Sequence, residues 1–127
     1  MSMPLTLKKI LQSIKNMQTE IVENEHGTAI KFADGTMICT LNITVTDQAI
    51  NKSYGSLYWG SRMWSFPVEF IEKPSVSCGM FHWGTSMSWG NVSAITKTYA
   101  TLSGMDIFSR AEGTSTNISA IAIGRWK

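Results

Sequence analysis

Residues 29–45 read AIKFADGTMICTLNITV, a pattern typical of a β-hairpin. The Asp-Gly pair at positions 34–35 supplies a tight turn between two arms. In the second arm every second side chain is apolar, which places Met37, Cys39 and Leu41 on one face and mostly polar side chains on the other. This alternation predicts an antiparallel sheet with one buried face and one solvated face.

More strands are predicted on both sides of a region without a clear period. Residues 47–63 are interpreted as a long loop with room for an edge strand, and residues 64–70 as a strand that ends in a proline-containing turn. The later strands are predicted at 76–83, 92–102, 105–111 and 118–126, separated by clusters of Gly, Ser, Asn or Thr. This spacing, with no second helix, predicts an all-β antiparallel sandwich for residues 27–127.

Residues 1–26 are predicted to form a helical connector that precedes this head. Apolar residues recur there with the 3-4-3-4 spacing of a coiled-coil seam, and the residues are Leu7, Ile10, Ile14, Met17 and Ile21. Ile at both seam registers favours three strands over two, which predicts a homotrimer. The alternative is an amphipathic helix that folds back on its own domain. Burial of five such side chains is worth at most ~15 kcal/mol per chain, against a backbone cost of about 1–2 kcal/mol per ordered residue. The heads must therefore supply much of the association energy.

Composition excludes several classes of function. The chain has 127 residues and a formal net charge of +2, which is too small to indicate nucleic-acid binding. No apolar stretch approaches the ~20 residues that span a bilayer, and we expect a soluble protein made in the cytoplasm, with no membrane insertion. Cys39 and Cys78 have no partners at metal-ligand spacing, so both are expected to be buried free thiols, and no cofactor or metal is predicted.

Three runs of residues resemble the C-terminal receptor-binding domains of phage and prophage tail fibres. They are residues 27–39, residues 66–70 with the Pro74 and Val76 that follow, and the closing run 121–127. The resemblance implies a trimeric sandwich similar to the H-type lectin fold, at a fibre tip of the virion, which recognises the bacterial surface together with other tail proteins. The chain departs from the family pattern in that one short helix stands where a fibre shaft is expected.

Carbohydrate binding is the chemistry that the composition of the loops favours. A sugar presents hydroxyl groups to polar side chains and apolar faces to aromatic rings. Such residues occur in the long loop and around a predicted strand end, and the candidate site is Tyr58, Trp59, Arg62, His82, Trp83 and Trp89. H-type lectins use a similar Arg, His and Trp set, for which Arg62, His82 and Trp83 are the matching residues. The alternative is structural, because neighbouring residues of a strand, such as His82 and Trp83, point to opposite faces.

Three functions follow in order of preference. The first is a non-enzymatic receptor-binding tip for a bacterial surface glycan. The second is a structural trimerisation or capping domain that binds no receptor. The third is a polysaccharide depolymerase, although no pair among the nine carboxylates stands out as the acid and nucleophile or base of glycoside cleavage.

Overall fold

The computed structural model describes residues 4–16, 19–82, 88–113 and 115–127, the side chains of residues 14–16 excepted. Its elements are α1 (Leu5–Asn16), β1 (Thr19–Asn24), β2 (Gly27–Phe32), β3 (Thr36–Val45), β4 (Lys52–Tyr54), β5 (Leu57–Ser65), β6 (Ser75–His82), β7 (Ser88–Ile95), β8 (Tyr99–Asp106) and β9 (Thr116–Arg125).

The nine strands form two antiparallel sheets. The five-stranded sheet has the order β1-β2-β3-β9-β6, and the four-stranded sheet has the order β4-β5-β8-β7. The two sheets pack through their inner faces, and the buried apolar side chains of both sheets form one core. The predicted all-β antiparallel sandwich is confirmed.

The predicted hairpin consists of β2 and β3. Ala29 lies opposite Cys39 in this pair, and Ile30 lies opposite Ile38. Gly35 occupies the turn with φ of 99°, a conformation that side chains with a Cβ rarely adopt. Preceding it, Asp34 accepts a hydrogen bond from the Thr36 amide at 2.8 Å, and this bond lowers the pKa of the Asp34 carboxyl.

The inner face of β3 is apolar, as its alternation predicts. Met37, Cys39 and Leu41 are buried, and Ile43 and Val45 pack at the margin of the core. The polar alternates at positions 40, 42 and 44 are exposed. A hydrophobic stripe with period two is therefore sufficient to orient this strand.

An aromatic cluster continues the core where the chain leaves β5 and crosses toward the other sheet. The Phe66 ring stands edge-on to Trp64 and to Phe70, with centroid distances of 5.0 and 5.1 Å. The Trp64 indole N–H donates to the His26 carbonyl at 2.8 Å, so the buried ring has a polar partner.

Several predictions between residues 47 and 111 are wrong in their boundaries. The long loop predicted at 47–63 contains β4 and most of β5, and β5 is an interior strand of its sheet. The strand predicted at 92–102 is broken by a turn at Thr96, whose hydroxyl accepts from the Thr98 and Tyr99 amides. The chain therefore reverses between β7 and β8, and the strand predicted at 105–111 is only the end of β8 followed by a loop.

The predicted helix is too long. It ends at Asn16, and Ile21 lies in β1 opposite Ile30. The residues from Thr19 onward include β-branched side chains that suit a strand, and pairing with the edge of the hairpin provides them with ladder hydrogen bonds. The predicted domain boundary at residue 27 falls at the turn between β1 and β2. Met17 lies outside the described residues, as does the side chain of Ile14.

Both thiols are free, but they differ in environment. Cys39 is fully buried, and this burial raises its pKa to about 11. Cys78 is half-buried and donates through Sγ to the Asn91 carbonyl at 3.1 Å, across the junction between β6 and β7. Burial also raises the pKa of Cys78.

Candidate functional site

Two tryptophans share the solvent-facing side of the four-stranded sheet. Trp59 on β5 lies opposite Met105 on β8, and Met105 in turn lies opposite Trp89 on β7. Residues that pair directly across strands point to the same face, so the three side chains form one row. Adjacent strands are about 4.8 Å apart, which separates the two tryptophan backbones by roughly 10 Å. Trp89 is 42% exposed.

The row beside the tryptophans is polar. Ser61 on β5 lies opposite Ser103 on β8, and Ser103 lies opposite Asn91 on β7. Ser93 extends this polar surface and accepts a hydrogen bond from Ser103 at 3.4 Å. Hydroxyl and amide groups therefore lie next to two aromatic rings on a single open face.

A groove of about 510 Å³ runs over this surface. Its lining includes Tyr54, Trp59, Asn91 and Met105 but does not include Trp89. Tyr54, on the edge strand β4, is 70% exposed. We call the outer surface formed by Tyr54, Trp59, Ser61, Trp89, Asn91, Ser103 and Met105 the tryptophan face.

A cation lies against one of the rings. Lys52, which pairs with Trp59 across β4 and β5, places its Nζ 4.6 Å from the centre of the indole. This is the distance of a cation–π contact, and it fixes a positive charge at the margin of the tryptophan face. A ligand that carries both hydroxyl and anionic groups would find partners for each here.

A buried carboxylate fixes the strand end that carries Trp89. Asp106 is fully buried and accepts hydrogen bonds from the Ser88 hydroxyl, from the Phe108 amide and from Arg110 Nε at 3.0 Å. Burial alone would raise the pKa of Asp106, but the three donors together lower it. Since Ser88 directly precedes Trp89, this network holds the start of β7 against the end of β8.

Two of the predicted site residues lie on the other side of the same sheet. Tyr58 alternates with Trp59 and packs against the core. Arg62 forms an ion pair with Asp47 at 3.0 Å and lines a separate opening together with Glu25 and His26. Neither residue reaches the tryptophan face, because neighbours in a strand point in opposite directions.

The structure also removes His82 from the predicted site. Its side chain is 1% exposed, and its Nε2 donates to the Gln48 carbonyl at 3.3 Å. The Thr116 hydroxyl shares that carbonyl, so the imidazole belongs to a buried polar cluster. Trp83 lies outside the described residues.

Of the predicted site residues that the structure describes, Trp59 and Trp89 share the tryptophan face. Lys52, Tyr54, Asn91, Ser103 and Met105 were not singled out. Their roles depend on which residues pair across strands, and strand register was not fixed by any local pattern. The available signal was period-two alternation within 88–93, which places Trp89, Asn91 and Ser93 on one face.

The described residues also bear on two other kinds of site. No cluster of three or more His, Cys, Asp or Glu side chains that could hold a metal ion occurs in this part of the chain. The one helix seen there is too short and too polar to cross a bilayer.

Comparison with solved structures places the sandwich among known folds. An N-truncated R1-type pyocin tail fibre superimposes with a TM-score of 0.65, and the match covers 98% of this chain and 99% of that one at 12% identity. The chain shares its fold with a pyocin tail fibre. The resemblance to tail-fibre domains drawn from the sequence is thus confirmed at the level of the fold.

A second structure agrees with the first. A C-terminal portion of the P. aeruginosa R1 pyocin fibre gives a TM-score of 0.62 at 14% identity, with 97% of this chain and 32% of that chain covered. The present chain therefore spans about a third of the longer fibre fragment. No protein-family model and no curated protein sequence matches the chain.

Proposed function

We propose that the chain is the receptor-binding tip of a phage-type tail fibre and that it binds a carbohydrate of the bacterial surface through the tryptophan face. The observation that carries this proposal is the pairing of Trp59 and Trp89 through Met105, beside a row of hydroxyl and amide groups. The fold shared with pyocin tail fibres supports the tail-fibre assignment.

The chemistry of the tryptophan face suits a sugar ring. Indole rings stack on apolar C–H faces, and the exposed Ser61 and Asn91 offer donors and acceptors to hydroxyl groups. An open sheet surface gives a shallow site, so each contact is weak and affinity depends on repetition. A homotrimer presents three such faces, and several fibres multiply them further.

The trimer and its location are part of the same proposal. We place the chain in a virion or tail-like particle, next to other tail proteins, with α1 in a parallel three-stranded coiled coil. The likeness to H-type lectins stays a prediction of the sequence, but Arg62 and His82 are not part of the proposed site. One is paired between the sheets and the other is buried.

Adsorption to host cells tests the proposal. We expect Trp59→Ala and Trp89→Ala each to weaken single-site glycan binding about tenfold, because loss of a stacked ring costs roughly 1–1.5 kcal/mol. Whole-cell adsorption should fall further, since multivalency compounds the loss at each site. Ile71→Ala is the control, because this apolar residue is 46% exposed and lies in the loop between β5 and β6, outside the four-stranded sheet.

Two outcomes would contradict the proposal. Unchanged adsorption by folded tryptophan variants would remove the tryptophan face and favour a structural capping domain. We also propose that binding is non-enzymatic. Release of soluble saccharide from purified surface polysaccharide would instead support a depolymerase.

A further inference from the structure

The outer face of the five-stranded sheet carries a continuous row of isoleucines. Ile21 lies opposite Ile30, Ile30 opposite Ile38, and Ile38 opposite Ile123, so the row crosses four adjacent strands. Ile121 lies one position along β9 on the same face. We call these five residues the isoleucine row.

Three of these five side chains are exposed in the single chain, and Ile30 and Ile38 are partly buried. Ile21 is 61% exposed, Ile123 is 47% exposed and Ile121 is 37% exposed. Single exposed apolar residues are ordinary, but a contiguous apolar surface indicates an interaction site. The isoleucine row is contiguous by direct cross-strand pairing.

Along β9 the larger apolar side chains face outward, whereas a sandwich with a solvated outer face would bury them and expose polar ones. Ala120 and Ala122 face the core and are buried, whereas the larger Ile121 and Ile123 face outward. The hairpin repeats this arrangement, since buried Ala29 precedes the outward Ile30. A larger apolar side chain gains more from burial than alanine does, so the outer face is built to be covered.

Charge is nearly absent from this face. Among the residues that point outward from the five strands, only Glu23 and Arg125 are charged, and they border the row next to Ile21 and Ile123. The remaining neighbours are uncharged, and include Thr40 and Ser77 beside Ile121. Such a surface fits another apolar surface and offers little to a charged polysaccharide or an acidic headgroup.

The position of α1 indicates what covers the row. The helix ends at Asn16, and β1, which holds the first isoleucine, begins at Thr19. Leu5, Leu7 and Ile10 on the helix are 68%, 44% and 52% exposed. An isolated helix of 12 residues is marginal in water, so α1 also needs an apolar partner.

We infer that the isoleucine row is the surface through which the heads of a homo-oligomer contact one another, with a second copy of this chain as its occupant. Two adjacent apolar surfaces, one on α1 and one starting at β1, are covered together when copies align in parallel. If the helices meet at a three-fold axis, the strand that directly follows them lies close to that axis. This inference rests on the proposed trimer, and it names the surface that supplies the association energy which the helical seam lacks.

Sedimentation analysis of the full chain tests the inference. The variant Ile38→Thr/Ile123→Thr keeps β-branched side chains, and so strand preference, but removes apolar groups from the centre of the row. We expect its subunit dissociation constant to rise about a hundredfold, the size of effect found for hot-spot residues near the centre of an interface. Ile107→Thr is the matched control, because Ile107 is 39% exposed but lies outside the five-stranded sheet, and it should associate as the unaltered chain does.

The possible outcomes separate this inference from the proposed function. A folded double variant that associates as tightly as the unaltered chain overturns the interface but leaves the proposed trimer standing. A chain that is monomeric at micromolar concentration overturns both. If the double variant dissociates but the tryptophan variants still adsorb to cells, the receptor site is refuted and the interface stands.

A second measurement needs no variant. Hydroxyl-radical footprinting should show Ile21, Ile38 and Ile123 protected in concentrated protein and oxidised after dilution. Ile107 should be oxidised equally in both samples. Equal oxidation of the isoleucine row at the two concentrations would overturn the inference even if the double variant does not fold.

Discussion

The close approach of β7 to β6 gives the sharpest test of the packing. A Cβ added at Gly90 would lie 2.7 Å from the Gly79 Cα and 2.8 Å from the Cys78 carbonyl carbon, whereas ordinary contact begins at 3.4 Å. Both are backbone atoms, so β6 must move by at least about 0.7 Å. Overpacking of this kind destabilises a protein by about 1–3 kcal/mol. Alanine also reduces the conformational entropy of the unfolded chain, which offsets about 0.4–1 kcal/mol of that loss. We therefore expect Gly90→Ala to lower the free energy of unfolding by about 1–2 kcal/mol.

Urea unfolding at fixed protein concentration measures this change, because subunit association also contributes to stability. Gly79→Ala is the matched control: the nearest atom to its added Cβ is the Ser119 hydroxyl at 3.3 Å, on a side chain that can rotate. This variant should stay within about 1 kcal/mol of the unaltered chain. Equal stability of the two variants would refute the reasoning, since the same residue change would then be insensitive to the backbone contact.

Three further predictions follow from buried groups. Asp106→Asn should destabilise the chain by about 1.5–3 kcal/mol at neutral pH, through loss of charge-assisted bonds that include Arg110. Folding lowers the pKa of Asp106, so its ionised carboxyl stabilises the folded chain above the ordinary value of 3.8. This stabilisation is lost as the pH falls through the pKa of the folded state. Urea unfolding at acid pH should therefore show a smaller loss of stability for Asp106→Asn than for the unaltered chain. Cys39, with a pKa of about 11, should react with a thiol reagent at pH 8 only after denaturation, and rapid reaction in native buffer would contradict its burial. Trp64→Phe should cost about 1–3 kcal/mol in thermal or urea unfolding, because the partly buried His26 carbonyl loses its donor, and an unchanged midpoint would count against that bond.

The fold was predictable where the pattern is local. An Asp-Gly turn flanked by alternating apolar residues is sufficient to define the β2–β3 hairpin, and the inner face of β3 follows from period two alone. Strand boundaries were less accessible. The turn at Thr96 depends on one hydroxyl that accepts from two amides, and threonine is also a common strand residue.

The end of α1 was not predictable for a related reason. Residues 19–23 read TEIVE, which continues the heptad through Ile21 and equally alternates as a strand. The outcome depends on pairing, since residues 19–24 form their ladder with β2, the next strand along the chain. A short segment whose sequence fits both a helical period and a strand period adopts the structure in which neighbouring segments can pair with it.

The candidate site was predictable in its residue types but not in its arrangement. Trp59 and Trp89 are 30 positions apart in the sequence, and their shared face depends on Met105 standing between them in the register. His82 shows the opposite case, because a histidine beside a tryptophan suggests a sugar site until burial places the imidazole inside. Strand register and burial depend on residues that are distant in the sequence. Residue types therefore suggest candidates, and only the folded structure shows which of them lie together.

Under the two proposals, the outer faces of the sandwich have separate roles, one in assembly and the other in binding. An alternating Ala-Ile segment such as residues 120–123 leaves open which side is buried, because a slip of one residue exchanges the two faces. In this fold the alanines face inward, so isoleucines cover one outer surface while tryptophan, serine and asparagine occupy the other. If copies associate through the first surface, the second necessarily points away from the shared axis. Association then presents the tryptophan faces outward in several directions, which is the geometry that multivalent attachment requires.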